Sequence, residues 1–359
     1  TYRYRDLYWL DLETKETTKI AEVPTIDNEQ FFSWMVDHEG KPRGFSTSHD
    51  AGRDRKPNSA KDGLYTYFYM MDSKTGNYKR MQSCKHQEPC LYPLDFDLDN
   101  RHVFAVGQAV LADGTLDPDW EYTDTNALWL YDSETGKVVE KVFHDKKYDF
   151  SNPRQGYSDG YVLIDRVNKK LLGLSYYADK RKYVYYDQGY ANLRESVKAT
   201  FPEKIVSIVP NSDFTKVIIN TSSEKDPGTG YFYDVSKGKI EFIASYAPWL
   251  QDYDLGSTYP FEFTARDGVE LMGYLTLPPG YKKGDKIPFI LHPHGGPNAK
   301  DRFGFNPEVQ IYATRGYGVL QINYRGSVGF GLKEMKLANK QWSLAMHDDL
   351  LDGLFWAND

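Results

Sequence analysis

LWLYDSETGKVVEKV, residues 128–142, sets one aromatic and aliphatic run against a second across a short polar turn. Asp132 in that turn can bond its own backbone two residues on, and Gly136 supplies a left-handed position. Together these features spell a β-hairpin. The unit occurs three more times, as LYWLDLETKETTKI (7–20), YFYMMDSKTGNYKRM (67–81) and YFYDVSKGKIEFIAS (231–245). The turn aspartates Asp11, Asp72, Asp132 and Asp234 lie 61, 60 and 102 residues apart. The last gap is close to two periods of roughly fifty, a length in the range of propeller blades. Further strand-like pieces, HVFAVGQAVL (102–111) and KVIINTSS (216–223), lie between the hairpins. The repeat predicts a partial β-propeller of about four to five blades over residues 1–255. An irregular β-sandwich is the alternative.

Composition fits a β-rich globular chain. Aromatics reach 15% of the 359 residues, and 29 residues are tyrosine, which favours strands and half-buried surfaces. The apolar share of 40% is enough for a sizeable core. The net charge of −7 arises from interspersed signs with no Lys/Arg block, so nucleic acid is not an expected partner. No apolar run approaches the length that spans a bilayer, and no membrane partner is expected. A homo-oligomer is left open. The start, TYRYRDLYWLD, is unlike a signal peptide, and a targeting segment could lie outside these residues. Cytoplasmic and periplasmic or secreted placements therefore both stay open. Cys84 and Cys90 flank KHQEP. A small disulfide loop and two free thiols are both open, while zinc needs more ligands than the nearby His86 supplies.

Two motif matches fail on context. Gly156-Tyr157-Ser158-Asp159-Gly160 reads G-x-S-x-G, but a nucleophile elbow needs a buried strand before the serine and a helix after it. Here a polar, proline-containing stretch precedes Ser158 and the strand-like YVLIDRVNKKLLGLSYY comes after it, so Ser158 reads as a loop residue. DFDLDN (95–100) resembles the start of a calcium loop. Its sixth position is Asn100 rather than Gly and its twelfth is Val106 rather than Glu, so a strand-opening turn explains it better.

After about Ser257 the grammar changes. Two strands surround an Arg266-Asp267-Gly268 turn, and a Pro-Pro-Gly break comes next at 278–280. Ile287–Leu291 and Val319–Asn323 are short apolar runs of the kind buried on both faces of an α/β sheet. HDDLLDGLFWAND (347–359) reads as a helix with Leu350, Leu351, Leu354 and Phe355 on one side and acids near its start. Strand, loop, helix, strand, helix predicts a mostly parallel sheet over 256–359.

RDGVELMGYLTLP, HPHGGP and INYRGSVGFG, in this order behind a propeller, resemble the prolyl oligopeptidase family of serine peptidases, in its dipeptidyl-peptidase and acylaminoacyl-peptidase branches. The resemblance is tight over 260–359 and loose elsewhere. It implies an α/β-hydrolase domain beginning near 256. It also implies that His294-Gly295-Gly296-Pro297 carries one oxyanion donor, the Gly295 amide, as the glycine loop after a buried strand does in such folds. Some relatives carry a tyrosine hydroxyl near the position of His294, so a side-chain donor there is in question, and a loop-shaping role is as open as a direct one. Asn323-Tyr324-Arg325-Gly326-Ser327 ends the next strand, where ligands sit in parallel sheets, and is expected to support the same wall. No metal or organic cofactor is implied. The implied reaction is hydrolysis of short peptides through an acyl-enzyme on serine. An esterase on the same fold and a non-catalytic propeller binding protein are the rivals.

The sequence ends at Asp359, about fifteen to twenty residues before the family's G-x-S-x-G would fall. None of the triad is expected among these residues, the chain alone is expected to be inactive, and it reads as an internal fragment. No adjacent Glu-Glu pair that would grip a substrate's N-terminus stands in 1–255. Asp117, Asp119 and Glu121 form an acidic loop that is weakly suggestive only.

Overall fold

A computed structural model describes residues 6–50, 64–85, 87–111, 115–152 and 159–358 of the chain. The chain divides into two compact units, Thr1–Val162 and Leu163–Asp359. Each is built from small, mostly antiparallel sheets.

The first unit opens with a two-stranded sheet, β1 (Leu7–Leu10) and β2 (Thr17–Ala21). A four-stranded meander comes next: β3 (Gln30–Val36), β4 (Pro42–Asp50), β5 (Leu64–Met71) and β6 (Tyr78–Lys85). A second meander holds β7 (Leu91–Phe96), β8 (His102–Gly107), β9 (Ala127–Asp132) and β10 (Lys137–Phe143). Three of the hairpins expected from the repeat lie here, each with its predicted aspartate accepting from backbone N–H groups two and three residues on. Asp11 accepts from Glu13 and Thr14, Asp72 from Lys74 and Thr75, and Asp132 from Glu134 and Thr135. DFDLDN ends β7 and turns into β8, with Asp99 accepting from the Arg101 and His102 amides. Asp117 serves its own loop by accepting from Asp119 N–H. Trp129 lies at the centre of this unit's core, 0% exposed, in one cluster with Leu91, Phe96, Val103 and Ala105. The Cys84 and Cys90 sulfurs are bonded to each other and buried.

Ser158 lies outside the described residues, as does His86. Gly160 leads directly into a strand, β11 (Tyr161–Asp165), and not into a helix. With β12 (Lys170–Tyr177) and β13 (Arg181–Tyr185) it forms a three-stranded sheet. Next comes a helix that the hairpin reading does not anticipate, α1 (Gln188–Thr200). Its signal is local: Asp187 caps it by accepting from Tyr190 N–H, and Tyr190, Leu193, Arg194 and Val197 recur at helical spacing on the buried face. Then β14 (Ile205–Pro210), β15 (Lys216–Ser223), β16 (Asp226–Asp234) and β17 (Lys239–Ser245) make a third four-stranded meander. The fourth expected hairpin is β16–β17, where Asp234 accepts from the Lys237 N–H and the Ser236 hydroxyl.

The last sheet runs β18 (Ser257–Thr264), β19 (Glu270–Leu277), β21 (Gly318–Asn323), β20 (Phe289–Leu291) in space. Only β20 and β21 pair in parallel, so the sheet is mixed rather than mostly parallel. The tight Arg266–Gly268 turn forces β18 and β19 to be antiparallel, whereas β20 and β21 are joined through a helix, α2 (Pro307–Ala313), which returns the chain in the same direction. Asn306 starts α2 by accepting from the Glu308 and Val309 amides, with Pro307 at the first helical position. β21 is buried along its whole length, as its apolar run predicts.

Two further helices, α3 (Leu332–Lys336) and α4 (Ala345–Asn358), complete the chain. The helix expected at 347–359 is α4, with a different buried face. Met346, Leu350, Leu354 and Ala357 pack into the core, while Phe355 is exposed. The stripe runs i, i+4, i+8 and i+11, and Phe355 sits about 100° off it. Gly353 lies on the buried stripe, where a Cβ would come within 2.2 Å of Ile322 Cδ1. Gln310 on α2 ties this sheet to the preceding meander, accepting from Gly256 N–H and donating to the Glu224 carbonyl.

Candidate active-site wall

β20 and β21 end side by side, and two loops leave their carboxyl ends. The first carries His294-Gly295-Gly296-Pro297 and the second Tyr324-Arg325-Gly326-Ser327. The structure brings these predicted residues together. Tyr324 stacks on the His294 ring, with centroids 4.6 Å apart and planes 15° apart. Its hydroxyl donates to the His294 carbonyl at 2.9 Å. Ser327 Oγ lies 3.0 Å from His294 Nε2 and 2.6 Å from the Tyr324 carbonyl. His294 Nδ1 meets the Gly295 carbonyl at 2.9 Å and, since a carbonyl only accepts, carries the proton.

The loops are further laced by residues that the motifs do not single out. Asn298 Nδ2 donates to Gly326 O at 3.0 Å, and Val328 N–H donates to Ala299 O. Asn323 accepts from Asp301 N–H at 2.8 Å, and Gln321 Nε2 donates to Asp301 Oδ1 at 2.8 Å. Burial pushes the Asp301 carboxyl up and the His294 imidazole down, each opposed by the other's charge. Asp301 Oδ2 is buried without a hydrogen-bond partner among the described residues.

Glycine is required at two points. Gly326 has φ +93°, and a Cβ there would come within 2.3 Å of the Ala338 Cβ. Gly296 has φ +139°, and its Cβ would press on the Asn298 amide at 2.8 Å. Gly295 differs: a Cβ there would meet nothing within 4 Å, the residue is exposed, and its N–H has no partner among the described residues.

Arg325 faces away from this cluster and anchors the second loop from behind. Its guanidinium grips Asp349 of α4 (Nε to Oδ2 2.8 Å, Nη2 to Oδ1 2.6 Å) and Asp267 of the β18–β19 turn (2.8 and 2.9 Å). Its backbone N–H also donates to Asp349 Oδ2 at 2.9 Å. The neighbouring Arg266 holds Asp352 and Asp348. Asp267 and Asp349 are the partners of this anchor that sequence reading leaves as a turn residue and a helix-start acid.

Arg325 holds the Asp267 carboxyl below its ordinary value of 3.8, and Arg266 does the same for Asp352. A carboxyl depressed in the folded state adds stability above its unfolded pKa and loses it as pH falls through the folded value. The melting temperature of the chain is therefore expected to hold from neutrality to about pH 4 and to fall below that. A melting temperature that is flat down to about pH 2 in a pH series would contradict this.

No family model matches the chain. Over 242 residues it is 33% identical to dipeptidyl aminopeptidase BIII of Pseudoxanthomonas mexicana, an alignment covering 65% of this chain and 33% of that protein. Over 247 residues it is 30% identical to dipeptidyl peptidase family member 6 of Caenorhabditis elegans, covering 63% of this chain and 33% of that protein. The chain thus spans about a third of the length of these curated relatives. Among solved structures, puromycin hydrolase superposes with a TM-score of 0.59 at 13% identity, covering 95% of this chain and 48% of that one, a likeness of fold. The similarity to dipeptidyl peptidases and the shared fold together support a peptidase of the prolyl oligopeptidase family.

Proposed function

We propose that these 359 residues supply the propeller (1–255) and the first part of the α/β-hydrolase domain (256–359) of a serine peptidase acting on short peptides. The nucleophilic serine and its Asp and His partners are supplied by polypeptide beyond Asp359. The serine oxygen attacks the peptide carbonyl while the histidine takes its proton. The amine leaves with that proton, and water then hydrolyses the acyl ester. The Gly295 N–H and the amide after the nucleophile hold the developing oxyanion. His294, Gly296 and Pro297 shape the loop, while Asn323, Tyr324, Arg325, Gly326 and Ser327 support it. The propeller caps the site and restricts entry to short chains. No cofactor takes part in this reading.

The observation that carries the reading is the exposed Gly295 N–H, unpaired among the described residues, at the end of a strand and braced by the neighbouring loop. The relatives' names supply the peptide substrate class. The test is fluorophosphonate labelling, with the modified residue located by mass spectrometry, of the 359-residue chain and of the full-length gene product. The expected result is no label on the chain and one labelled serine beyond Asp359 in the longer protein, which cleaves dipeptidyl p-nitroanilides. A stoichiometric label on Ser158 or Ser327 would sink this assignment. Turnover of simple esters with no cleavage of dipeptidyl amides would favour the esterase.

A further inference from the structure

The usefulness of the Gly295 N–H depends on its direction, which is that of the peptide plane joining His294 to Gly295, while the plane that follows limits how Gly295 itself can swing. In a trans peptide the N–H lies opposite the carbonyl of the same plane. The plane joining His294 to Gly295 is held by its carbonyl, which accepts from the Tyr324 hydroxyl at 2.9 Å. The Gly295 N–H must then face away from Tyr324, and there it is unpaired among the described residues. The plane joining Gly295 to Gly296 is held in the same way, by its carbonyl on His294 Nδ1 at 2.9 Å. Gly295 has no side chain with which to fix itself, and nothing packs where one would be. Its orientation is set entirely from outside.

The imidazole that holds the second plane is fixed in turn. Its face lies on Tyr324, and its Nε2 meets Ser327 Oγ at 3.0 Å. Ser327 is 0% exposed. Ser327 Oγ donates to the Tyr324 carbonyl at 2.6 Å and also lies 3.0 Å from Nε2, so the hydroxyl bridges the imidazole edge to the second loop. Being sealed from solvent, Ser327 is no nucleophile despite its imidazole partner.

The geometry points to Tyr324 and Ser327 as positioning residues: a two-point clamp on Gly295 that aims its N–H at the substrate oxyanion, Tyr324 through the His294 carbonyl and Ser327 through the His294 ring. The inference rests on the peptidase reading above. Neither residue touches the reacting atoms.

The test uses the full-length gene product with Tyr324→Phe, Ser327→Ala and Ser327→Thr. Phenylalanine keeps the stacked ring and removes only the hydroxyl that holds the carbonyl. For a dipeptidyl p-nitroanilide, Tyr324→Phe is expected to lower kcat about ten- to a hundredfold and leave KM within about twofold, since an oxyanion donor acts on the transition state. Affinity for a peptide aldehyde should fall in parallel, while affinity for the product dipeptide should not. Ser327→Ala should show the same split with a smaller fall, and Ser327→Thr, which keeps the hydroxyl, should recover most of it. A general loss of folding would lower active-enzyme concentration without separating aldehyde from product. If wild type is active and Tyr324→Phe and Ser327→Ala both keep kcat and aldehyde affinity within about twofold, the clamp is wrong and the peptidase reading stands. A wild type that neither labels nor turns over peptides overturns both.

Discussion

Replacing Arg325 by leucine is expected to cost the unit that ends in α4 about 3–5 kcal/mol, because it strands a buried carboxylate. The Asp349 side chain is 0% exposed and the Arg325 side chain 7%, and the two meet through a bidentate pair. Without the guanidinium, Asp349 keeps only the backbone N–H of residue 325. It must then stay charged in a poor medium, take up a proton, or open the packing of α4 to water. Asp267 loses its partner too, but it is 46% exposed and can turn to solvent, so it adds little. Removing both buried charges, as Arg325→Leu with Asp349→Leu, should cost less than Arg325→Leu alone. Urea denaturation of the single and double variants measures this. A single-variant loss under about 1 kcal/mol would mean that Asp349 re-solvates easily and that Arg325 is no anchor.

Trp129→Ala should be comparably damaging to the first unit, at about 3–5 kcal/mol. The indole is 0% exposed, meets Trp120 edge-on at 5.4 Å, and sits on a strand paired on both sides. Its Nε1–H donates to the Gly107 carbonyl at 2.8 Å. Alanine leaves a cavity that a β-sheet core cannot collapse into, plus a carbonyl stripped of a donor. Trp129→Phe separates these causes: it fills much of the space but cannot donate, and should cost about 1–3 kcal/mol. Denaturant unfolding of both variants provides the check. Equal losses for Phe and Ala would mean that the hydrogen bond, not the volume, dominates.

The range of an interaction decides whether it is legible in the sequence. The hairpins around Asp11, Asp72 and Asp132 are written in consecutive residues, since the carboxylate bonds backbone two and three places on. The stretches around His294 and Tyr324 are recognisable as motifs for a similar reason: each is a loop leaving a short apolar strand. The mixed direction of the last sheet escapes sequence reading because apolar content reports burial, not strand polarity. The partners of Arg325 are invisible because Asp267 is 58 residues away and Asp349 is 24. Helix α1 hides in a repeat of hairpins, although its cap and spacing are present. Phe355 is misassigned when apolar residues are counted without their angular positions.

The order of strands in the last sheet also governs when the wall can exist. In the meanders each strand pairs with its sequence neighbour, so the loops to be closed are short. β19 instead pairs with β21, with Met272 opposite Asn323, and the chain between them must first lay down β20 and α2. Tyr324 and Ser327 come just after Asn323, so their contacts with His294 need β20 and β21 paired in register, with Leu291 opposite Leu320. The proposed clamp thus depends on strand pairing as well as on its own side chains. A one-residue slip of β21 against β20 would turn alternate side chains to the opposite face and separate Tyr324 from the His294 carbonyl, so the sheet register and the proposed alignment of Gly295 stand or fall together.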